Sequence, residues 1–446
     1  MTRALAEVLA GTTWSDLPSD TIEHARRSVL DWLGSALAGA LEPPARMAQR
    51  VALGLGVSTE ATLLAAGRGS AAAAALANGV ASHILELDDV HKGSTLHPAA
   101  PVIPAALAVA EREHRDGRAF LLAVVLGYDA ALRIGEAVNP SHYRFWHPTG
   151  TAGTFGAAAS AGSLLGLDAA RMLDALGSAG TQAAGLWEFN ADGAMSKHLH
   201  PGKAAMNGVL SADLARAGFT GASRILEGDR GFFAATSTSH DATRITDGLG
   251  THWKIAENCY KLHSCCGHTH TAVDCALELA PSPDEIVSIE IETYGPGYAI
   301  VQNPRPATPY QAKFSIAYCV AAALLDGRCG LDQFAPERIA APAISALLTR
   351  TSVTVADDLT AHYPAAWPCR LTIRLRGDRI LHAAADFPRG NPENPISTES
   401  LEAKFRGLVA PRFGASAAAR ALDAVRSLET RADMADVFCD LVPASL

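Results

Sequence analysis

Ser70–Pro101 reads SAAAAALANGVASHILELDDVHKGSTLHPAAP, and its two halves differ sharply in chemistry. Ser70–Val80 carries no charge and is mostly alanine, the composition of a helix buried on every side against other helices. The continuation crowds Glu86, Asp88, Asp89, His91, Lys92 and His97 into twelve positions and breaks into Gly, Ser, Thr and Pro. Charges that leave an apolar helix for a loop are costly unless solvated or used. A loop holding acid, base and cation together suits small-molecule chemistry. A solvated turn between two core helices would have the same composition.

Outward from this stretch, apolar residues recur at helical spacing in Ile22–Ala38, Leu63–Ile84, Ala99–His114 and Phe120–Val138. Ala152–Leu165 opens AGTFGAAASAG, small residues that let helices meet closely, and Asp168–Gly185 and Lys203–Ala217 continue the series. The character changes near Pro281. Glu285–Tyr294 alternates Val287, Ile289, Ile291 and Thr293 against polar neighbours, as a half-buried strand does. Thr351–Ala356 and Arg370–Leu375 are further strands, the latter turning through Arg376-Gly377-Asp378 into Ile380–Ala385 as a hairpin. Thr398 can then cap a new helix. The pattern predicts a mainly α protein. A large all-helical domain is built from both chain ends, 1–268 and 398–446, with a smaller inserted, lid-like α+β domain over 269–397.

The chain has 446 residues, 48% hydrophobic and 19% charged, with a formal charge of −9. That balance, without any Lys/Arg block, argues against a nucleic-acid partner. The N-terminus lacks a signal-peptide pattern and no apolar run suits a membrane span, so the expectation is a cytoplasmic protein with no membrane partner. The eight cysteines all lie from Cys259 onward, as buried reduced thiols rather than a disulfide framework. An acidic protein that binds anions must gather its cations locally, which gives individual lysines weight.

Three more motifs carry potential chemistry. Tyr143–Gly150, YRFWHPTG, places Arg144 and His147 before a helix start, where free N–H groups attract anions. Met195–Lys203, MSKHLHPGK, reads as a cationic loop in which Lys197 can serve as base or electrostatic clamp. Lys261–His270, KLHSCCGHTH, invites zinc at His263, Cys265, Cys266, His268 and His270. Adjacent cysteines point apart, however, and no second ligand pair appears, so no metal is expected. Phosphate-loop, dinucleotide, HExxH and GxSxG patterns are absent, which leaves a nucleotide cofactor and the common hydrolases unsupported.

Taken in order, SHILELDDVHKGSTLHPAAPVIPAALAVAE, HPTGTAGTFGAAASAG, MSKHLHPGKAAMNG, EGDRGFF, KLHSCCGHTH, YQAKFSIAYCVAAALLDG and NPENPISTESLEAKF make the chain similar to the MmgE/PrpD family. The resemblance implies a homodimer, no metal or organic cofactor, and a small di- or tricarboxylate substrate. Its members include 2-methylcitrate dehydratase, cis-aconitate decarboxylase and iminodisuccinate epimerase. Decarboxylase-like members use an Asp and a Thr around a DD motif, a following His, a His before Pro, two Lys and a Tyr. The positions that match are His97, His147, Lys197, Lys261 and Tyr318. Glu86 stands at the Asp position, Val90 at the Thr position, and the spacing from DD to His is one residue longer. These departures make an isomerase, iminodisuccinate epimerase, the first expectation, with a 2-methylcitrate dehydratase-like lyase the alternative. In that reading Lys197 and His97 move the proton alpha to a carboxylate, and His147 or Tyr143 works from the opposite face. Asp89, Tyr143, Arg144, Lys261 and Tyr318 are then the candidate substrate-binding residues.

Overall fold

The computed structural model describes residues 1–435, 437 and 438. The chain divides into two units, one of residues 1–84, 88–258 and 397 onward, the other of 85–87 and 259–396. The fold is mainly α, with a small α+β portion. Cys259–His268 goes with the second unit, ahead of the expected division after 268, and so do three residues of the polar stretch, Leu85–Leu87. Those three are fastened there because the Leu85 carbonyl accepts from Ser264 Oγ at 2.7 Å and Lys313 Nζ at 2.8 Å.

In the first unit the principal helices are α1 (Ser19–Gly39), α2 (Ala71–His83), α3 (Ala99–Arg112), α4 (Gly117–Val138), α5 (Ala152–Leu164) and α6 (Ser196–Arg216). Helix α2 begins eight residues later than its apolar pattern suggests. Ala61–Leu63 and Gly67–Gly69 form a short antiparallel hairpin instead, and the Ser70 side chain caps α2 by accepting from the Ala73 N–H. Helix α6 starts at Ser196, so Lys197, His198 and His200 lie on a helix and not in a loop. Pro201 disguised this start, since proline removes the N–H that would bond the Lys197 carbonyl.

Helices α2 and α6 cross where Gly79 meets Gly202. A Cβ on Gly79 would sit 2.7 Å from Gly202 Cα, and one on Gly202 would sit 2.5 Å from the Leu76 carbonyl oxygen. Only hydrogen fits at either position. Because residues four apart share a helix face, this contact also carries His83 on α2 and His198 on α6 to the same neighbourhood. Helix α1 is joined to α2 by a Trp32 Nε1–H bond to Ser82 Oγ at 2.7 Å. The chain's C-terminal part returns to this unit, where Lys404 Nζ pairs with the buried Asp31 carboxylate at 2.6 Å.

The second unit holds a four-stranded sheet of β1 (Ile286–Thr293), β2 (Thr351–Val355), β3 (Cys369–Leu375) and β4 (Ile380–Ala385), in the order β2-β1-β3-β4. β1 and β2 are parallel (Ile291 opposite Val353), while β3 is antiparallel to both β1 and β4 (Ile291 opposite Leu371, Leu371 opposite Ala383). The β3–β4 hairpin turns through Gly377 and Asp378, both at positive φ. A register irregularity between Ile286 and Ser288 buries Ile286 and turns Val287 outward, so the expected alternation holds only from Ile289 on. Helices His270–Leu279 and Ile316–Asp326 supply Val273, Cys275, Val320 and Leu324 to the core shared with the sheet.

Candidate active site

The first unit gathers five imidazoles. His83 ends α2 and is fully buried, and its Nδ1 lies 2.6 Å from Oδ2 of the equally buried Asp88. That carboxylate oxygen is also 3.5 Å from His97 Nδ1. The rings of His83 and His97 meet edge to face at 4.7 Å, and His83 stacks on His147 at 5.5 Å. His147 Nδ1 and His200 Nδ1 are 3.1 Å apart, and the His198 ring is 6.4 Å from that of His83. Lys197, itself buried, acts electrostatically on both His147 and His200.

Local structure explains each position. His97 follows a loop pinned by the His91–Leu96 bridge, with Thr95 held at φ 50°, a region costly for a side-chain-bearing residue. The His97 N–H donates to Thr149 Oγ1 at 3.1 Å, and the His147 N–H donates to the Gly185 carbonyl at 2.9 Å. His200 enters between two glycines: a Cβ on Gly150 would be 3.0 Å from His200 Cβ, and one on Gly185 3.1 Å from its Nδ1.

Proton positions follow from the partners. His97 Nδ1 is 2.6 Å from the Asp89 carbonyl oxygen, which can only accept, so Nδ1 carries the hydrogen and Nε2 is the basic nitrogen. Asp88 fixes His83 in the same tautomer. The His83 Nε2 is buried and makes no hydrogen bond among the described residues, the condition of an atom waiting for a ligand or water. Burial, reinforced by His83, His200 and Lys197, holds His147 well below the usual histidine pKa. Burial and His83 bring His200 down to about 4. Both are therefore neutral at pH 7, and their Nδ1 contact joins one donor to one acceptor.

Not every expected residue joins this centre. Asp89 does not face a substrate. Its carboxylate accepts from Tyr128 Oη and Asn258 Nδ2, each at 2.7 Å, and from the Ala99 N–H at 3.1 Å. Burial and Asp31 push it up to about 8, and its contribution to the centre is the carbonyl that orients His97. The half-buried Tyr143 packs edge-on against Trp187, which in turn packs on His147. Arg144 is exposed over the Phe145 ring and lines a separate surface pocket of about 480 Å³ with Pro140, Ser141 and Thr236.

The other candidates lie in the second unit. The Tyr318 hydroxyl donates to the Gln333 carbonyl inside the core, and burial pushes its pKa up. Lys261 is buried with Nζ 3.6 Å from Glu86 Oε2, beyond hydrogen-bond reach, and Glu86 is held at φ 57°. His83, Asp88 and His200 were missed as site residues, although Asp88 lies in the charged stretch and His200 in the MSKHLHPGK motif. His83 had only its place at the end of an otherwise apolar helix to mark it.

The His83, Asp88 and His97 group has the donor types of a metal site. It suits hydrogen bonding better, because His97 Nδ1 is protonated against a carbonyl and cannot ligate through that atom. A second group, His91, Glu136 and Glu257, already encloses a cation: Lys254 Nζ lies 3.0 Å from each carboxylate.

Residues 3–245 match the MmgE/PrpD N-terminal domain and residues 263–430 the MmgE/PrpD C-terminal domain. The chain is 28% identical to the cis-aconitate decarboxylase-like protein oryM of Aspergillus oryzae, over 95% of this chain and 93% of that protein. It is 27% identical to cis-aconitate decarboxylase of Aspergillus terreus, over 95% of this chain and 92% of the relative. Against the human cis-aconitate decarboxylase the identity is 26%, over 97% and 92%. No described helix is long and apolar enough to cross a membrane.

Proposed function

The chain belongs to the MmgE/PrpD family, and on that premise we propose that it is a lyase acting on a small tricarboxylate. Decarboxylation of cis-aconitate is the leading reaction, and dehydration of a 2-methylcitrate-like hydroxy acid is the alternative. The observation that carries this reading is the gathering of His83, His97, His147 and His200 beside Lys197 in one unit. The similarity to cis-aconitate decarboxylases favours a lyase over the epimerase.

Loss of CO2 from the CH2-carboxylate of cis-aconitate leaves an electron pair that spreads across the adjoining C=C. The pair settles on the carbon beside a second carboxylate, where a proton must arrive. Lys197 would hold that carboxylate as charge builds on it, a contribution of roughly 3 kcal/mol per positioned donor. His97 or His83 delivers the proton from Nε2, with Asp88 stabilising the positive charge on the ring beforehand. Such proton transfer contributes roughly 10²–10⁴-fold. In dehydration the neutral His147 would instead take the proton alpha to the carboxylate, while a protonated imidazole serves the leaving hydroxyl. In this reading the working assembly is a homodimer.

The test is proton NMR in D2O with cis-aconitate, 2-methylcitrate and iminodisuccinate isomers in separate tubes. Consumption of cis-aconitate with CO2 release and one deuterium in the five-carbon product is expected. A new alkene from 2-methylcitrate would select the alternative. Isomer interconversion of iminodisuccinate, with the other two acids untouched, would overturn the proposal.

A further inference from the structure

Lys261–His270 looked like a poor zinc motif because its two cysteines are adjacent. Folding separates them. Cys265 turns into the core of the second unit and meets Cys319, on the helix Ile316–Asp326, and Cys329, just beyond that helix. The three sulfurs all lie within 4.8 Å of one another, and the residues are 0–2% exposed. We infer that Cys265, Cys319 and Cys329 form a binding site for a thiophilic d10 cation, with Zn²⁺ the expected occupant.

The geometry is close to what such an ion needs. A Zn–S distance of about 2.3 Å in a tetrahedron sets sulfur separations of about 3.8 Å. The trio would therefore contract by about 1 Å or less around the ion. The three ligands come from separate segments that are already tied together. The Ser264 N–H donates to the Cys329 carbonyl at 3.0 Å and the Cys266 N–H to the Lys313 carbonyl at 2.9 Å. Thr269 Oγ1 donates to Cys265 Sγ at 3.0 Å, a bond that favours the thiolate. A cation and an imidazole adjoin the trio. Lys313, anchored on the Leu85 carbonyl, acts electrostatically on Cys329, and the His270 imidazole adjoins Cys265.

Two other readings make different demands. A redox disulfide would need sulfurs at about 2.05 Å and an oxidant able to reach fully buried thiols, and it would leave the third cysteine unpaired. Plain hydrophobic packing would leave three thiols that hold no ion.

The protein would be purified without chelator or histidine tag after growth with zinc, then dialysed and its metal content measured. One zinc per chain is expected, falling to background in Cys319→Ala and Cys329→Ala and unchanged in Cys266→Ala. Adding Cd²⁺ to metal-stripped protein should produce a thiolate-to-metal charge-transfer band in the wild type. Copper in place of zinc at the same stoichiometry, lost in the same variants, would support the site and reassign its ion. Less than one-tenth metal ion per chain, with no Cd²⁺ band in folded wild-type protein, would overturn the inference. Metal retained in folded Cys319→Ala would do the same. Should the cysteine variants fail to fold, the wild-type stoichiometry and the Cd²⁺ band decide the question alone.

Discussion

Gly202→Ala tests whether the helix crossing builds the site. The added Cβ would lie 2.5 Å from the Leu76 carbonyl oxygen, 2.6 Å from Val80 Cγ2 and 3.0 Å from the Val80 nitrogen. Two of these atoms are backbone and cannot rotate aside. An ordinary C···O contact is about 3.3 Å or more, so α2 and α6 must part by roughly 0.8 Å. Overpacking of this kind costs about 1–3 kcal/mol, with rigid backbone contacts at the upper end. Alanine returns about 0.5–1 kcal/mol of helix preference over glycine. The net is a loss of about 2 kcal/mol, read as a fall in Tm of about 4 °C for a unit of this size. The same displacement carries Lys197, His198 and His200 away from His83, and misplacement approaching 1 Å can cost roughly 10²-fold in rate. Gly407→Ala is the control. It sits on the exposed face of the helix Thr398–Phe413 with nothing within 4 Å of a new Cβ, and should gain about 0.5–1 kcal/mol. Thermal melts and turnover of cis-aconitate on both variants settle the matter. Equal Tm shifts in the two variants, or a Gly202→Ala enzyme with wild-type Tm and rate, would refute the reasoning.

Asp88→Asn removes the carboxylate shared by His83 and His97 and should lower kcat by roughly 10²-fold or more, with the circular dichroism spectrum unchanged. An unaffected kcat would remove Asp88 from the mechanism. Neutral buried His147 and His200 make the fold sensitive to acid. Their folded pKa values lie below the unfolded value, so their stabilising contribution is complete above pH 6.5 and is lost as pH falls. For His200 the window runs from 6.5 to about 4, worth about 3 kcal/mol. Urea midpoints between pH 7 and pH 4 should decline, less steeply in His200→Gln, and parallel curves would contradict the assignment. Lys404→Met leaves Asp31 buried without its cation and should cost about 3–5 kcal/mol in chemical denaturation. A change under about 1 kcal/mol would show that Asp31 is not held as a charge.

Local pattern was enough for the helical series, the β3–β4 hairpin and the helix after Ser397, because helix period, strand alternation and turn chemistry are written in neighbouring residues. It misjudged the start of α6, where Pro201 speaks for a loop while tertiary packing of Gly202 on α2 holds a helix. It also passed over the short hairpin ahead of α2, which alanine content hid. The motifs pointed to His97, His147 and Lys197, since a polar cluster in an apolar chain is visible without a structure. Sequence could not say that Asp88 faces the imidazoles while its neighbour Asp89 is spent on Tyr128, Asn258 and a helix N-terminus. Nor could it bring Cys265 to Cys319 and Cys329, more than fifty residues away. Which of two adjacent side chains meets a distant partner depends on the direction each backbone segment takes when helices cross. That direction is set by packing between segments far apart in the chain, and only the tertiary structure decides it.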